Sequence, residues 1–199
     1  MIRGRVEGMA DGLYEPGGDD LALIGAETAV MARLLDDLQL LSNAEAGALR
    51  LHRERLEADE LVETAESAHR TEAAERGVAL RTQVTPDLPA LDVDRVRIGE
   101  VLANLVSNAL RHTPSGGTVT IAADPDARGV AFRVTDTGAG IAPDELAHVF
   151  DRFARSPESR GSGLGLAIAK SLVQAHSGTI AADSEPGRGT TIRFVLPKA

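Results

Sequence analysis

Cysteine and tryptophan are both absent from the 199 residues. Without cysteine the chain has no disulfide, no thiolate metal site and no cysteine nucleophile, a composition compatible with a reducing cytoplasm. Aromatic residues of any kind make up only 3%. The core must therefore rest on Leu, Val, Ile and Ala, and few side chains are left to stack on single-stranded nucleic acid. No apolar run approaches the roughly 18 residues that a membrane span needs, and the N-terminus has no signal-peptide core. The segment is expected to be soluble, with no membrane contact of its own. Net positive charge is lacking: 30 acidic residues outnumber 21 basic ones for a formal net charge of −9, which argues against a long DNA-binding surface and against nucleic acid as a partner. What is present is a 43% hydrophobic fraction and enough length to bury a core, as one medium domain with a helical appendage.

The appendage occupies residues 1–46. Ile24, Met31 and Leu38 recur one heptad apart within an apolar stripe that also takes in Leu34, Leu35 and Leu41, which predicts a long amphipathic helix over Leu21–Leu41. Ile2, Val6, Met9 and Leu13 form a shorter stripe of the same period, and Pro16-Gly17-Gly18-Asp19 supplies a turn and an N-cap between the two. Two helices alone have little core, so docking against a second hairpin in a four-helix bundle is expected.

Residues 47–199 interleave helices and strands. The pattern predicts a short strand over Ala48–His52, a helix over Ala58–Arg76 stopped by Gly77, and a strand over Val78–Val84. A helix capped by Asp92 or Asp94 then ends near Pro114. Strands over Thr118–Ala123 and Gly129–Thr135 are joined by an Asp-Pro-Asp-Ala-Arg turn. A short helix over Asp144–Phe153, a polar loop over 154–161, a helix over Leu164–Ala175 and a hairpin of Thr179–Ala182 with Thr190–Leu196 complete a two-layer α/β (α+β) sandwich.

Several polar residues sit where this pattern gives them no obvious structural duty. Asn104 and Asn108 lie one turn apart on a helix made mostly of Val101, Leu102, Leu105, Val106, Ala109 and Leu110, and a buried carboxamide needs a partner. A carboxamide oxygen can fill one position on Mg²⁺ whose other ligands are phosphate oxygens and water. Asp136 ends a strand and enters Thr-Gly-Ala-Gly-Ile141, where Gly138 and Gly140 let the backbone approach a flat ring. By itself that would be an ordinary Asp-x-Gly turn. Gly161, Gly163 and Gly165 precede a helix whose N-terminal amides can bind phosphate. This is neither a Walker loop, because Ala169 rather than glycine precedes Lys170-Ser171, nor a Rossmann fingerprint, because a polar loop and not a strand comes first.

In this order, the asparagine helix, Asp136–Ile141, Gly161-Ser-Gly-Leu-Gly-Leu166 and Pro186-Gly-Arg-Gly-Thr190 resemble the N, G1, G2 and G3 boxes of the ATP-binding domain of sensor histidine kinases. That domain is of the GHKL (Bergerat) type, shared with gyrase and the mismatch-repair ATPases. The resemblance implies ATP and Mg²⁺ as ligands. Asp136 then accepts the adenine exocyclic amine, Asn108 is the metal ligand, and Asn104, His112, Gly138, Gly140, Ile141, Gly163, Leu164, Gly165 and Leu166 surround the nucleotide. Thr190 or Thr191 assists at the adenine. It also makes residues 154–161 a lid and Phe150 and Phe153 an F box, with Arg111 and Arg155 in reach of phosphate; a solvated surface role competes for each arginine. The hydrolytic relatives carry a glutamate, the base for the attacking water, where this chain has Asn104. A carboxamide takes no proton at neutral pH, so a kinase is favoured over an ATPase.

One family feature is missing. The five histidines are His52, His69, His112, His148 and His176, so residues 1–46 lack the phosphoacceptor that the family's first helix carries. The resemblance therefore implies transfer of the γ-phosphate to a histidine on a longer form of the chain or on a partner hairpin, and thence to an aspartate of a response regulator. A truncated membrane sensor, with this segment in the cytoplasm, is preferred over a split kinase. A homodimer is expected if the hairpin is complete. A nucleotide-gated, non-catalytic interaction module of the same fold is the alternative.

Overall fold

Gly77 stops a helix as the pattern predicts, at a positive φ of 67°, and Gly47, at 65°, follows the end of another that runs past the expected Leu41. The computed structural model describes residues 18–154 and 162–199. The stripe from Ile2 to Leu13, Pro16-Gly17, and the roles expected of Arg155 and Gly161 lie outside the described residues. Two compact units make up the chain, one ending at Leu40 and the other spanning Leu41–Ala199.

Helix α1 runs over Gly18–Glu45. Gly18 and Asp19 are already helical, so the turn expected over 16–19 does not reach them. Along α1, Leu21, Val30, Met31 and Leu35 are each at least 55% exposed, whereas Leu41 is buried.

The strand expected over Ala48–His52 does not form. That stretch is irregular because its backbone is engaged elsewhere: the His52 N–H donates to Asp94 Oδ2 at 2.8 Å. Strand β1 follows at Glu54–Leu56. Helix α2, Ala58–Glu75, ends in a Schellman turn: the Gly77 N–H reaches the Ala74 carbonyl and the Val78 N–H that of Ala73. Strand β2 is Ala79–Val84, and β3, Leu91–Val93, pairs antiparallel with β1. Helix α3, Arg95–His112, is capped by Asp94, not Asp92, through a 3.1 Å bond from the Arg97 N–H.

Strands β4, Thr118–Asp126, and β5, Gly129–Asp136, are longer than predicted. Only Ala127 and Arg128 form the turn, and Pro125 is paired opposite Val130. Proline is tolerated there because β2 ends opposite Ala123, so the missing N–H faces no ladder partner. Helix α4 is only Pro143–Leu146, shorter than the Asp144–Phe153 expected. Beyond it the N–H groups of His148, Val149 and Asp151 bond three residues back, to Glu145, Leu146 and His148, so the chain continues as tight turns. Helix α5, Gly165–Ala175, and the hairpin of β6, Thr179–Glu185, with β7, Gly189–Pro197, complete the fold.

The main sheet has the order β2-β4-β5-β7-β6, with β2 and β4 parallel and the other pairs antiparallel. Side chains alternate across it. The row Ala123, Phe132, Phe194 and Ile180 lies on the inner face under the helices, and the two phenylalanine rings stack with centroids 4.9 Å apart. Two of the chain's four phenylalanines thus anchor the core. The outer face is polar, with Thr120, Thr135 and Thr191 in one row and Arg133 beside Arg193 in the next.

A buried polar network ties α3 to α5. His176, 0% exposed, accepts the Asp94 N–H at Nε2 (3.1 Å), and its Nδ1–H donates to the Leu172 carbonyl (2.8 Å). Both ring nitrogens are engaged in the neutral form. Burial, with a contribution from Arg53, holds the His176 pKa below its ordinary value, opposed by the Leu172 carbonyl and by Asp94 and Asp92. Burial alone would raise the Asp94 pKa, but the N–H donors of His52, Arg97 and Val96 outweigh it and hold it low. A histidine whose folded pKa is depressed contributes stability that is complete above its unfolded pKa and is lost as pH falls below it. His176→Leu is therefore expected to lose roughly 1–3 kcal/mol in urea unfolding at pH 8. The gap from the parent should shrink below about pH 6.5, since the other titrating groups cancel in the difference. A gap that ignores pH would remove His176 from this role.

Candidate functional site

Helix α3 buries Ile98, Val101, Leu102, Leu105, Val106, Ala109 and Leu110, which leaves Ala103, Asn104, Ser107 and Asn108 as a half-buried stripe along one side. Residues four apart on a helix are neighbours, so the two carboxamides sit one above the other. Neither side chain has a protein hydrogen-bond partner among the described residues. Asn104 lies against the first residue of α5: a Cβ on Gly165 would come within 3.2 Å of its Oδ1. The N-terminal turn of α5 has no side-chain cap, so its free amides point out of the helix start beside Asn104. Leu164, just before that turn, is fully buried and can contribute only backbone. Leu166 is half-buried.

Asp136, at the end of β5, is 8% exposed. Its Oδ1 accepts two backbone N–H groups, Gly138 at 2.8 Å and Thr190 at 3.3 Å. Oδ2 has no protein donor among the described residues. Burial pushes the Asp136 pKa up, and the two N–H donors and nearby His112 partly offset it. The segment after Asp136 is stitched to the β6–β7 hairpin. Gly187 N–H donates to the Ala139 carbonyl at 2.7 Å, Ile141 N–H donates to Ser184 Oγ at 2.8 Å, and a Cβ on Gly140, at φ 72°, would collide with the Glu185 carbonyl. Thr190 and Thr191 point to opposite faces. Thr190 is buried beside Asp136 and Ser184, whereas the Thr191 hydroxyl bonds Thr135 at 3.0 Å on the outer face. Of the two, Thr190 is the one brought to Asp136.

The Phe150–Phe153 segment meets the glycine loop before α5. Phe153 N–H donates to the Gly163 carbonyl at 2.9 Å, and a Cβ on Gly163 would press on the Phe153 backbone. Phe153 takes a φ of 62° and is 59% exposed, while Lys170 Nζ stands 5.9 Å from the Phe150 ring centroid, within cation–π range. An open cleft of about 520 Å³ runs from the end of α3 to the segment after Asp136, lined by Arg111, His112, Thr113, Thr137, Gly138 and Gly187 among others. His112 lies close enough behind Gly138 that a Cβ there would strike its carbonyl. Desolvation and the Arg111 charge lower the His112 pKa, against Asp136. Arg111 and His112 are exposed at this rim.

The structure thus brings together Asn104 with Gly165, and Asp136 with Gly138, His112 and Thr190, with Gly140 and Ile141 against the hairpin. Among the described residues no three His, Asp or Glu side chains cluster as a metal site. A carboxamide beside free helix amides suits a cation that arrives on a polyphosphate better than one held by protein alone. Ser184 and Lys170 carry no signal in the sequence as site residues; Ser184 is brought to Thr190 only by the strand register.

The profile of the histidine kinase-, DNA gyrase B- and HSP90-like ATPase family matches residues 93–199. The sensor protein DivL of Caulobacter vibrioides is 37% identical over 189 residues, 95% of this chain and 24% of that protein. The signal transduction histidine-protein kinase BaeS of Escherichia coli is 36% identical over 202 residues, 99% of this chain and 43% of that one. The chain therefore spans less than half the length of either relative. Among solved structures, the Acinetobacter baumannii histidine kinase AdeS superposes with a TM-score of 0.83 at 25% identity, covering 100% of this chain and 94% of that one. Full-length ShkA in complex with AMPPNP gives 0.80 at 28%, covering 94% and 41%. The histidine kinase ThkA in complex with the response regulator protein TrrA gives 0.74 at 21%, covering 100% and 57%, a likeness of fold.

The tightest backbone approach in the site is at Gly189, at φ 96°, where a Cβ would overlap the Asp136 carbonyl. Gly189→Ala is expected to cost at least about 1–3 kcal/mol in strain and to weaken ATP binding beyond what the lost stability explains. Urea unfolding and calorimetric titration of the same variant check both, and a variant of parental stability would show that β7 can yield there.

Proposed function

The chain belongs to the histidine kinase-, DNA gyrase B- and HSP90-like ATPase family, as an ATP-binding domain of the sensor-histidine-kinase kind, and from that premise we propose that it is the catalytic part of a two-component phosphotransferase. Residues 47–199 form the catalytic domain in this reading, and residues 1–46 part of a dimerisation hairpin that pairs into a homodimer when complete. ATP is the phosphoryl donor. The γ-phosphoryl group passes to an imidazole nitrogen of a histidine on a longer form of the chain or a partner hairpin, with ADP leaving. It passes next to a response-regulator aspartate, a partner class that the ThkA–TrrA complex exemplifies for that kinase. The segment works in the cytoplasm.

The observation that carries this reading is the stripe of Asn104 and Asn108, without hydrogen-bond partners among the described residues, with Asn104 against the start of α5. Asn108 would hold Mg²⁺, which supplies charge neutralisation on the phosphates. The amides of Gly163, Gly165 and Leu166 would cradle those phosphates, and Arg111 would lie at the rim. Asp136 Oδ2, the oxygen left without a protein donor, would accept the adenine amine. Asn104 stands where the hydrolytic relatives have a glutamate base. Its neutral amide takes no proton, so water is poorly activated and the phosphoryl group is kept for another acceptor. The protein's own share is positioning and electrostatic stabilisation.

No histidine lies in residues 1–46, which favours a second reading, a nucleotide-gated interaction module without transfer. The two separate in an assay with γ-labelled ATP and Mg²⁺ using this chain, alone and with a separate hairpin that contains the family's acceptor histidine. Acid-labile, alkali-stable label on the added hairpin is expected; ATP binding without label would leave the interaction module. Asn108→Ala is expected to abolish Mg²⁺-dependent ATP binding and transfer, and parental affinity in that variant would refute the metal assignment. Asp136→Ala should weaken ATP and ADP alike, by roughly tenfold or more; loss of only one nucleotide would contradict an adenine-reading role.

A further inference from the structure

Ser184 makes more contacts to the base end of the site than any motif assigns to it. It lies in β6 directly opposite Thr190 of β7. Its Oγ accepts the Ile141 N–H at 2.8 Å, stands 2.9 Å from the Gly189 carbonyl and 2.9 Å from Thr190 Oγ1. One hydroxyl thus touches the segment after Asp136 and two successive residues of β7.

The proton count fixes the direction of each bond. A serine hydroxyl has one proton and two acceptor lone pairs. The Gly189 carbonyl can only accept, so the Ser184 proton goes there. Ile141 N–H can only donate, which takes one lone pair, and the remaining contact is satisfied when Thr190 donates its own hydroxyl proton to Ser184. Thr190 is then left with lone pairs and no free proton. Its backbone N–H is committed as well, to Asp136 Oδ1. Asp136, tied to Thr190 through the Thr190 N–H, keeps Oδ2 as an acceptor, and Thr190 Oγ1 is left an acceptor as well.

We propose that Ser184 is a positioning residue that sets the base specificity of the site: by taking the Thr190 proton it leaves an all-acceptor edge, matched to a purine that carries an amino group at C6 and mismatched to one that carries an oxo group there. A 6-oxo purine turns the C6 substituent itself into an acceptor and leaves only N1–H to donate, so at C6 an acceptor faces acceptors, a repulsive arrangement of the kind that gives discrimination larger than a lost contact alone. The inference rests on the reading that ATP binds at Asp136. It goes beyond that reading by naming the residue that orients the hydrogen bonds.

The test compares dissociation constants of Mg-ATP and Mg-inosine triphosphate, which share the triphosphate and differ at C6, for the full chain and its variants. The parent is expected to bind ATP more tightly. Ser184→Ala frees the Thr190 hydroxyl to rotate and donate, so ATP should weaken roughly tenfold while inosine triphosphate changes little. Ser184→Thr keeps the hydroxyl and should restore the parental ratio. Thr190→Val keeps the backbone bond to Asp136 and removes the hydroxyl, and should lose the same discrimination, which carries the test if Ser184→Ala fails to fold. A Ser184→Ala variant that weakens both nucleotides equally, or neither, would assign Ser184 a purely structural role and overturn the proposal alone. A parent chain that binds no ATP would overturn the proposal together with the reading beneath it.

Discussion

A carboxylate removed from water must be compensated, since an unpaired buried charge is among the most costly arrangements a fold can hold. Asp136 meets that requirement with two backbone N–H groups on one oxygen, from Gly138 two residues on and from Thr190 across the sheet. The consequence is architectural. The end of β5, the turn that follows it and the start of β7 are drawn to a single atom, and they can come that close only because Gly138 and Gly189 bring no Cβ into the gap. One oxygen is thereby used up in building the site and the other is left for what enters it. The raised pKa of Asp136 reflects the burial that remains after both donors have acted.

The opposite wall depends on a second anchored carboxylate. Asp94 caps α3 through Arg97, holds the irregular segment after α1 through the His52 N–H, and offers its own N–H to His176 at the end of α5. The helices that carry Asn104 and the free amides are thus fixed to each other by a neutral, fully buried imidazole far from where a nucleotide would sit. Apolar packing of Leu102, Leu105, Ile168 and Leu172 supplies most of the adhesion between such helices. It has little directional preference, whereas the hydrogen bonds at His176 fix the relative rotation that places Asn104 against Gly165.

Much of this was legible in residue order. Periodicity gave α2, α3 and α5, and glycine punctuation placed their ends, because those signals are local and sum over many positions. Asn104 and Asn108 stood out as polar groups on a largely apolar helix, and among the described residues the structure gives them no protein partner, whereas Asp136 alone read as an ordinary Asp-x-Gly turn. The failures lie where a distant atom decides. Residues 48–52 have strand-like alternation, but the His52 N–H belongs to a carboxylate 42 residues away. Pro125 looked like a turn residue and sits in a strand only because β2 has already ended beside it. Phe153 closes the α4 segment in a left-handed conformation that nothing in its neighbours announces. Thr190 and Thr191 were inseparable until the register assigned them to opposite faces, and Ser184 was invisible for the same reason.

Charge distribution separates the two ends of the site. At the end assigned to the base in the proposed reading, the protein supplies acceptors: Asp136 Oδ2, with Thr190 tied to Asp136 through its N–H. Along α3 and the start of α5 it supplies neutral carboxamides and amide donors, with Arg111 and His112 at the rim, and the carboxylate one turn before Asn104, Glu100, is paired with Arg97. A carboxylate at position 104 would repel a polyphosphate and deprotonate water; a carboxamide does neither. In the proposed reading the Asn at 104 therefore acts towards holding a phosphoryl donor intact. In this reading the nucleophile must be presented from outside residues 47–199, and the rate of transfer depends on how an acceptor side chain is brought up to this site.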